Sequence, residues 1–370
     1  MKTMRNTVAA LAVAAIGLAC AHQSRAEDQT LFIYSWADYI PPEVMADFTK
    51  ETGIKVKVAD YESVEIAETK LLTGSSGFDL VVTAVFTVPR LIKAGVLHEL
   101  DHSKMPNIAN LDADFIKLQL TKIDPQTRYA IPYDWGLTTI GYDADKVKKI
   151  LGKDAPVDSL ALLFDPAIAA KLQSCGIAML DSAADAMSLA LLYTGTTNLF
   201  HPTAEQLDRA AAALKAVRPY VRYFDNTRYT QDLGSGEICV AMAWNNNVIA
   251  AAQAAAEAGH PGNIKVSLPK EGGIVWSDQL VIPKDAPHPD AAQAFLDFLM
   301  RGSSAGAIVN TTLVAAANTK AAEFAKPELR NDPGIFPPHD WLRAQQPSDT
   351  FDQQLQRDMT RLFSEVKAGN

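Results

Sequence analysis

Apolar positions along this chain follow two rhythms, and the rhythms alternate. Residues 31–35 are a short apolar and aromatic run suited to a buried strand. Pro41 and Pro42 then open a helix, where a missing N–H costs little. Val44 and Phe48, four apart, share one face of it, and Gly53 closes it. Ile54, Val56 and Val58 alternate with lysines, as in a half-buried strand. The same order repeats: a helix over 64–73, an apolar strand over 78–83, and a helix over 88–94 ended by Gly95. Strand and helix in turn predict an α/β lobe with mainly parallel strands.

Residues 129–136 break the rhythm before a strand over 137–142. We read Pro132 to Gly136 as the first crossing into a second lobe; an ordinary strand–turn–strand inside one domain is the competing reading. Further strands are predicted over 176–180, 221–224 and 238–244, with helices over 204–217 and 247–258. Residues 264–269 lead back toward the first lobe, a strand pair follows over 274–283, and 289–301 is a helix with one apolar face. The expected division is 27–134 with about 262–305 as lobe 1, and 137–259 with about 306–370 as lobe 2. A chain this long exceeds what one compact core normally holds.

The first 26 residues read differently. Lys2 and Arg5 give a basic start, 8–20 an apolar core, and Ser24 and Ala26 small residues at the cleavage positions. This predicts a secretory signal peptide over 1–26. Lipid attachment at Cys20 is the competing reading, but Gly17 stands where it needs a branched aliphatic residue. Removing Lys2, Arg5 and Arg25 takes the formal net charge from −9 to −12. An acidic surface argues against nucleic acid and anionic lipid as partners and agrees with a cationic ligand. Cys175 and Cys239 are the cysteines left, 64 residues apart. In an oxidising compartment they are most simply one disulfide; two buried thiols are the alternative.

Four of the five tryptophans, Trp36, Trp135, Trp244 and Trp276, fall at predicted strand ends or crossings beside polar residues. Core packing explains any one of them. The shared context points to an aromatic box between lobes. An ammonium over a desolvated indole face gains about 1–2 kcal/mol. A carboxylate at the end of the slot offsets its dehydration. Asp38, Asp181, Asp185 and Asp278 are the candidate anions. A turn role competes for Asp38, and helix capping for Asp181 and Asp185. Asp278 is the most informative, because it stands inside an apolar strand pattern. Enzyme signatures are missing: no GxSxG elbow, Walker loop or HExxH. No catalytic residue, cofactor or metal ligand is therefore assigned.

At Trp36-Ala37-Asp38-Tyr39 the chain closely resembles the periplasmic polyamine-binding proteins of ABC importers, above all the putrescine-binding branch. Segments 51–56, 77–82, 140–142, 155–159, 270–272 and 331–335, with Pro337 and Pro338, match as well, so the resemblance spans nearly the whole chain past residue 26. It implies a two-lobed α/β periplasmic binding protein of type II, each lobe a mixed sheet flanked by helices, joined by hinge strands and closing on ligand. It also implies a Cys175–Cys239 disulfide, a periplasmic location, a monomer, a polyamine ligand, and an ABC permease and ATPase as partners. The family's pocket maps onto Trp36, Asp38, Trp244, Trp276 and Asp278, with Asp185 where a glutamate is frequent. Ala37 and Ala84 stand where hydroxyls are usual, Asn247 replaces an amine-pairing aspartate, and Val314 replaces a wall tyrosine. Trp276 is often phenylalanine in putrescine binders. The expected function is binding of putrescine or a related di- or polyamine. Alternatives on the same fold are a different amine, such as an acylated polyamine, or a ligand sensor for a membrane receptor.

Overall fold

A computed structural model describes residues 29–259, 262–345, 349 and 351–369. The expected signal peptide and Cys20 lie outside the described residues. In chain order the strands are β1 (Thr30–Ser35), β2 (Lys55–Asp60), β3 (Leu80–Ala84), β4 (Ala130–Asp143), β5 (Ile177–Met179), β6 (Tyr223–Phe224), β7 (Val240–Trp244), β8 (Ile264–Val266), β9 (Ile274–Val281) and β10 (Ala315–Ala316). They lie in the order β2-β1-β3-β9-β4-β7-β5-β6, with β8 and β10 also pairing along β4.

β1 runs parallel to β2 and β3, as the repeated strand–helix rhythm requires. β5 likewise runs parallel to β6 and β7. Between these two parallel groups stand β9 and β4, antiparallel to each other and to their neighbours. These two strands serve both halves and are the hinge strands of a two-lobed fold. β4 is one continuous strand of 14 residues, buried throughout. The sequence suggests a break at Pro132, but the strand runs on through it. A proline is tolerated there because the ladder slips between Pro132 and Asp134, and a bulge does not need its N–H.

Each side of the hinge has its own hydrophobic core. One holds Leu31, Phe48, Trp135, Leu280 and Phe295. The other holds Leu163, Met187, Leu214, Val240 and Val248. The packing does not divide near residue 306, as the sequence led us to expect. Ile308, Val309, Leu329, Ile335 and Leu342 are buried in the first core. The physical reason is a ladder: β10 pairs with Trp135 and Asp134 of β4, which holds this segment to the first half. The terminal helix Gln353–Ala368 joins the second core through Leu355, Met359, Leu362 and Val366, spaced as one apolar stripe, and Phe351 before it packs there too.

Cys175 is bonded to Cys239. The bond ties the chain entering β5 to the chain entering β7. Closing 64 residues restricts the unfolded chain by about 4 kcal/mol on the loop-entropy argument. The double variant C175S/C239S should lose about that much stability in urea unfolding of the ligand-free protein. A loss below about 1 kcal/mol would show that the loop is already restrained when unfolded.

Candidate ligand-binding site

The bulge in β4 sets the site's geometry. Beyond it the ladder pairs Asp134 with Asp278, Gly136 with Trp276, and Thr138 with Ile274. Across the other edge of β4, Thr138 faces Trp244. Alternate residues of a strand share a face, so Asp134, Gly136 and Thr138 line one face with Asp278 and Trp276. The first rung and Thr138 are four residues apart, about 13 Å of strand. Gly136 is needed where it stands: a Cβ there would collide with Cζ2 of Trp276 and lie 2.6 Å from Oδ1 of Asn245.

At the first rung, Tyr39 Oη lies 2.8 Å from Asp134 Oδ1 and 2.8 Å from Asp278 Oδ2. The Trp36 indole N–H donates to the same Asp278 oxygen at 3.1 Å. Asp134 is fully buried, and its Oδ2 has no hydrogen-bond partner. Neither aspartate has an ion-pair partner among the described residues. Burial, then the facing charge of Asp278, pushes the Asp134 carboxyl well above the usual carboxylate range. Burial also raises Asp278, against the hydrogen bonds from Tyr39 and Trp36.

Aromatic rings hold this rung in place. The Trp36 ring packs on Tyr61 at 4.4 Å between centroids, and the Tyr61 hydroxyl donates to the Val82 carbonyl. The Tyr133 hydroxyl donates to the Tyr39 carbonyl at 2.9 Å, fixing the loop after β1. Burial raises the proton affinity of Tyr39 and Tyr133 well above a free phenol, so both stay neutral donors.

Four residues along β4, the Thr138 hydroxyl donates to Asp185 Oδ1 at 2.7 Å. Burial raises the Asp185 carboxyl, while bonds from Ser182, Thr138 and Trp244 pull it back. Asn247 Nδ2 donates to the Tyr229 hydroxyl at 2.8 Å, and the Trp244 backbone N–H reaches the same oxygen. Trp276 lies between the two ends against Gly136, its buried indole N–H without a partner.

The structure thus brings Trp36 and Asp278 to one end, Asp185, Trp244 and Asn247 to the other, and Trp276 between them. It does not bring Asp38 into either group. Asp38 is exposed, at φ 53, and makes no hydrogen bond or ion pair among the described residues. Trp135 is corrected from the aromatic box to the core: it is 6 % exposed and stacks on Phe115. Asp181 is exposed and pairs with Lys367. Sequence reasoning missed Asp134, Tyr39 and Thr138. Asp134 carried the same signal as Asp278, an acid within a buried strand, but was read only as a neighbour of Trp135.

Comparison with known proteins agrees with this architecture. Residues 43–337 match the family model described as bacterial extracellular solute-binding protein. A putrescine/agmatine-binding protein of Pseudomonas aeruginosa is 40% identical over 357 residues, 96% of each chain. The putrescine-binding periplasmic protein PotF of Escherichia coli is 40% identical over 344 residues, 93% of each. In fold, the chain is similar to the spermidine/putrescine ABC transporter substrate-binding protein PotD from Streptococcus pneumoniae. The TM-score is 0.80 at 24% identity, over 92% of this chain and 99% of that one.

The acid pair makes stability depend on pH with a definite sign. Asp134 and Asp278 bind protons more tightly folded than unfolded. Between the ordinary carboxyl range and their raised values the folded state holds more protons, so rising pH destabilises the ligand-free protein. Below the ordinary range the pair adds no pH dependence. Melting curves should show this fall, and D134N should flatten it and melt higher than the parent at neutral pH. An unchanged slope in D134N would remove the pair as its source.

Proposed function

The chain belongs to the bacterial extracellular solute-binding proteins, and from that membership we propose that it is the periplasmic binding component of an ABC importer for putrescine or a related di- or polyamine. The observation that carries this reading is the face shared by β4 and β9. It has two buried carboxyls without a cation at one end. It has an indole platform in the middle and a third carboxyl at Asp185. The names of the relatives set the ligand class, and an acidic, aromatic slot about 13 Å long suits a chain of methylenes ended by ammonium groups.

In this reading one ammonium sits against Asp278 and the Trp36 ring. Trp276 and Trp244 wall the methylenes. The second ammonium meets Asp185 and the Asn247 carbonyl oxygen, which is free to accept because Nδ2 is turned to Tyr229. Asp38, exposed at the rim, raises the local concentration of cations more than it contacts them. Binding draws the halves together about β4 and β9, and the closed form is what the permease and ATPase receive. The protein acts as a monomer, since one chain supplies both ends of the slot, and it reaches the periplasm by the signal peptide over 1–26.

Calorimetry of ligand-stripped protein with putrescine, cadaverine, agmatine and spermidine tests the reading. At least one should bind; silence with all four overturns it. D278N should weaken binding by about 100-fold or more, because it leaves an ammonium without its buried partner. W276A should weaken it by about tenfold, the worth of one desolvated cation–ring contact.

A further inference from the structure

Tyr39 stands between two carboxyl groups. Its hydroxyl carries one proton, yet it stands at 2.8 Å from an oxygen of each aspartate. Two such contacts need two protons between three oxygens. The second belongs to a carboxyl. Asp278 already accepts the Trp36 indole N–H on that oxygen, which suits a charged group. Asp134 is fully buried, its Oδ2 has no hydrogen-bond partner among the described residues, and the Thr312 hydroxyl beside it is directed to the Ile308 carbonyl. The order is therefore Asp134 O–H to Tyr39, and Tyr39 O–H to Asp278.

The remaining groups that act on the pair are neutral. They are Trp36, Tyr61, Tyr133 and Thr312, whose hydroxyl donates to the Ile308 carbonyl. No lysine, arginine or histidine stands among them. Across an antiparallel ladder, directly opposed like charges destabilise each other, so an empty slot favours keeping one carboxyl protonated.

We propose that Asp134 is a further recognition residue of this slot, acting through Tyr39 and Asp278: it holds a proton while the slot is empty and releases it to solvent when an ammonium settles beside Asp278. The inference rests on the reading of the slot as an amine site. The ligand keeps its own protons; the Asp134 O–H bond breaks, its electron pair stays on the carboxylate, and the proton leaves to buffer. Tyr39 then donates to either carboxylate. Two negative charges at this end replace the one that Asn247 does not supply at the other. Protons compete with the ligand, so affinity falls as the solution is acidified.

The test is calorimetry of putrescine binding at one mildly acidic pH in several buffers of different ionisation enthalpy. The observed heat should vary linearly with buffer, with a slope of about one proton released per ligand. D134N should bind at least about tenfold more weakly, with most of that slope gone; this separates Asp134 from Asp185, the other raised carboxyl nearby. Infrared difference spectra of the unmodified protein, with putrescine minus without, should show loss of a protonated-carboxyl band, a readout that does not need the variant to fold. Binding without buffer dependence, a slope unchanged in D134N, or no carboxyl band would overturn the inference and leave the amine reading intact. No binding of any amine in any buffer overturns both.

Discussion

Two carboxyl groups that face each other across neighbouring strands, both buried and neither answered by a cation among the described residues, set the terms for the rest of the cleft. Such a pair is unfavourable by itself. What makes it tolerable is the frame around it: one tyrosine hydroxyl shared between the two acids, one indole N–H, and a Trp36–Tyr61 ring contact that holds the indole in place. The same frame makes the pair selective. A group that brings positive charge and several N–H donors relieves it; a neutral solute of the same shape does not. On the proposed reading, recognition is the removal of a built-in electrostatic fault.

The strands that carry this fault are also the strands that join the two halves. Asp134, Gly136 and Thr138 sit on β4 and Trp276 and Asp278 on β9, while Trp36 and Tyr39 come from the loop after β1, Trp244 from the end of β7, and Asp185 and Asn247 from helices of the second half. Parallel strands on either side are locked into separate cores, and a disulfide adds rigidity to one of them. On the proposed reading, the carboxyl groups that meet one ammonium sit on the strands shared by both halves, and the residues that meet the other belong to the second half, so closure about β4 and β9 would bring the two together.

Much of this was legible in the sequence, and the limits have physical causes. Strand–helix alternation showed the parallel groups because each element buries a face with its own period. Asp278 stood out because an acid inside an apolar strand needs a reason. Asp134 had the same context, but Pro132 made its segment look like a crossing. A proline within a continuous central strand implies a bulge, and a bulge is visible only once the partner strand is known. Residues 306–345 were placed in the wrong half for a similar reason. The two residues of β10 that hold them to β4 have no pattern long enough to read. Asp38 stood out because it follows Trp36 at a strand end and because the resemblance includes it, but it is exposed in a tight turn at φ 53, which agrees with the competing turn reading.

The slip between Pro132 and Asp134 acts as a phase setting. Side chains on a strand point alternately to two faces, so one residue more or less inverts everything downstream until the register is restored. Here a single uncompensated position decides whether the acid of β4 looks across at Asp278 or away from it. In a lineage built on this frame, the charge of the pocket can therefore change by the gain or loss of one residue in the hinge strand, with no pocket residue replaced by another. A comparison that scores only substitutions at contact positions would not register the event.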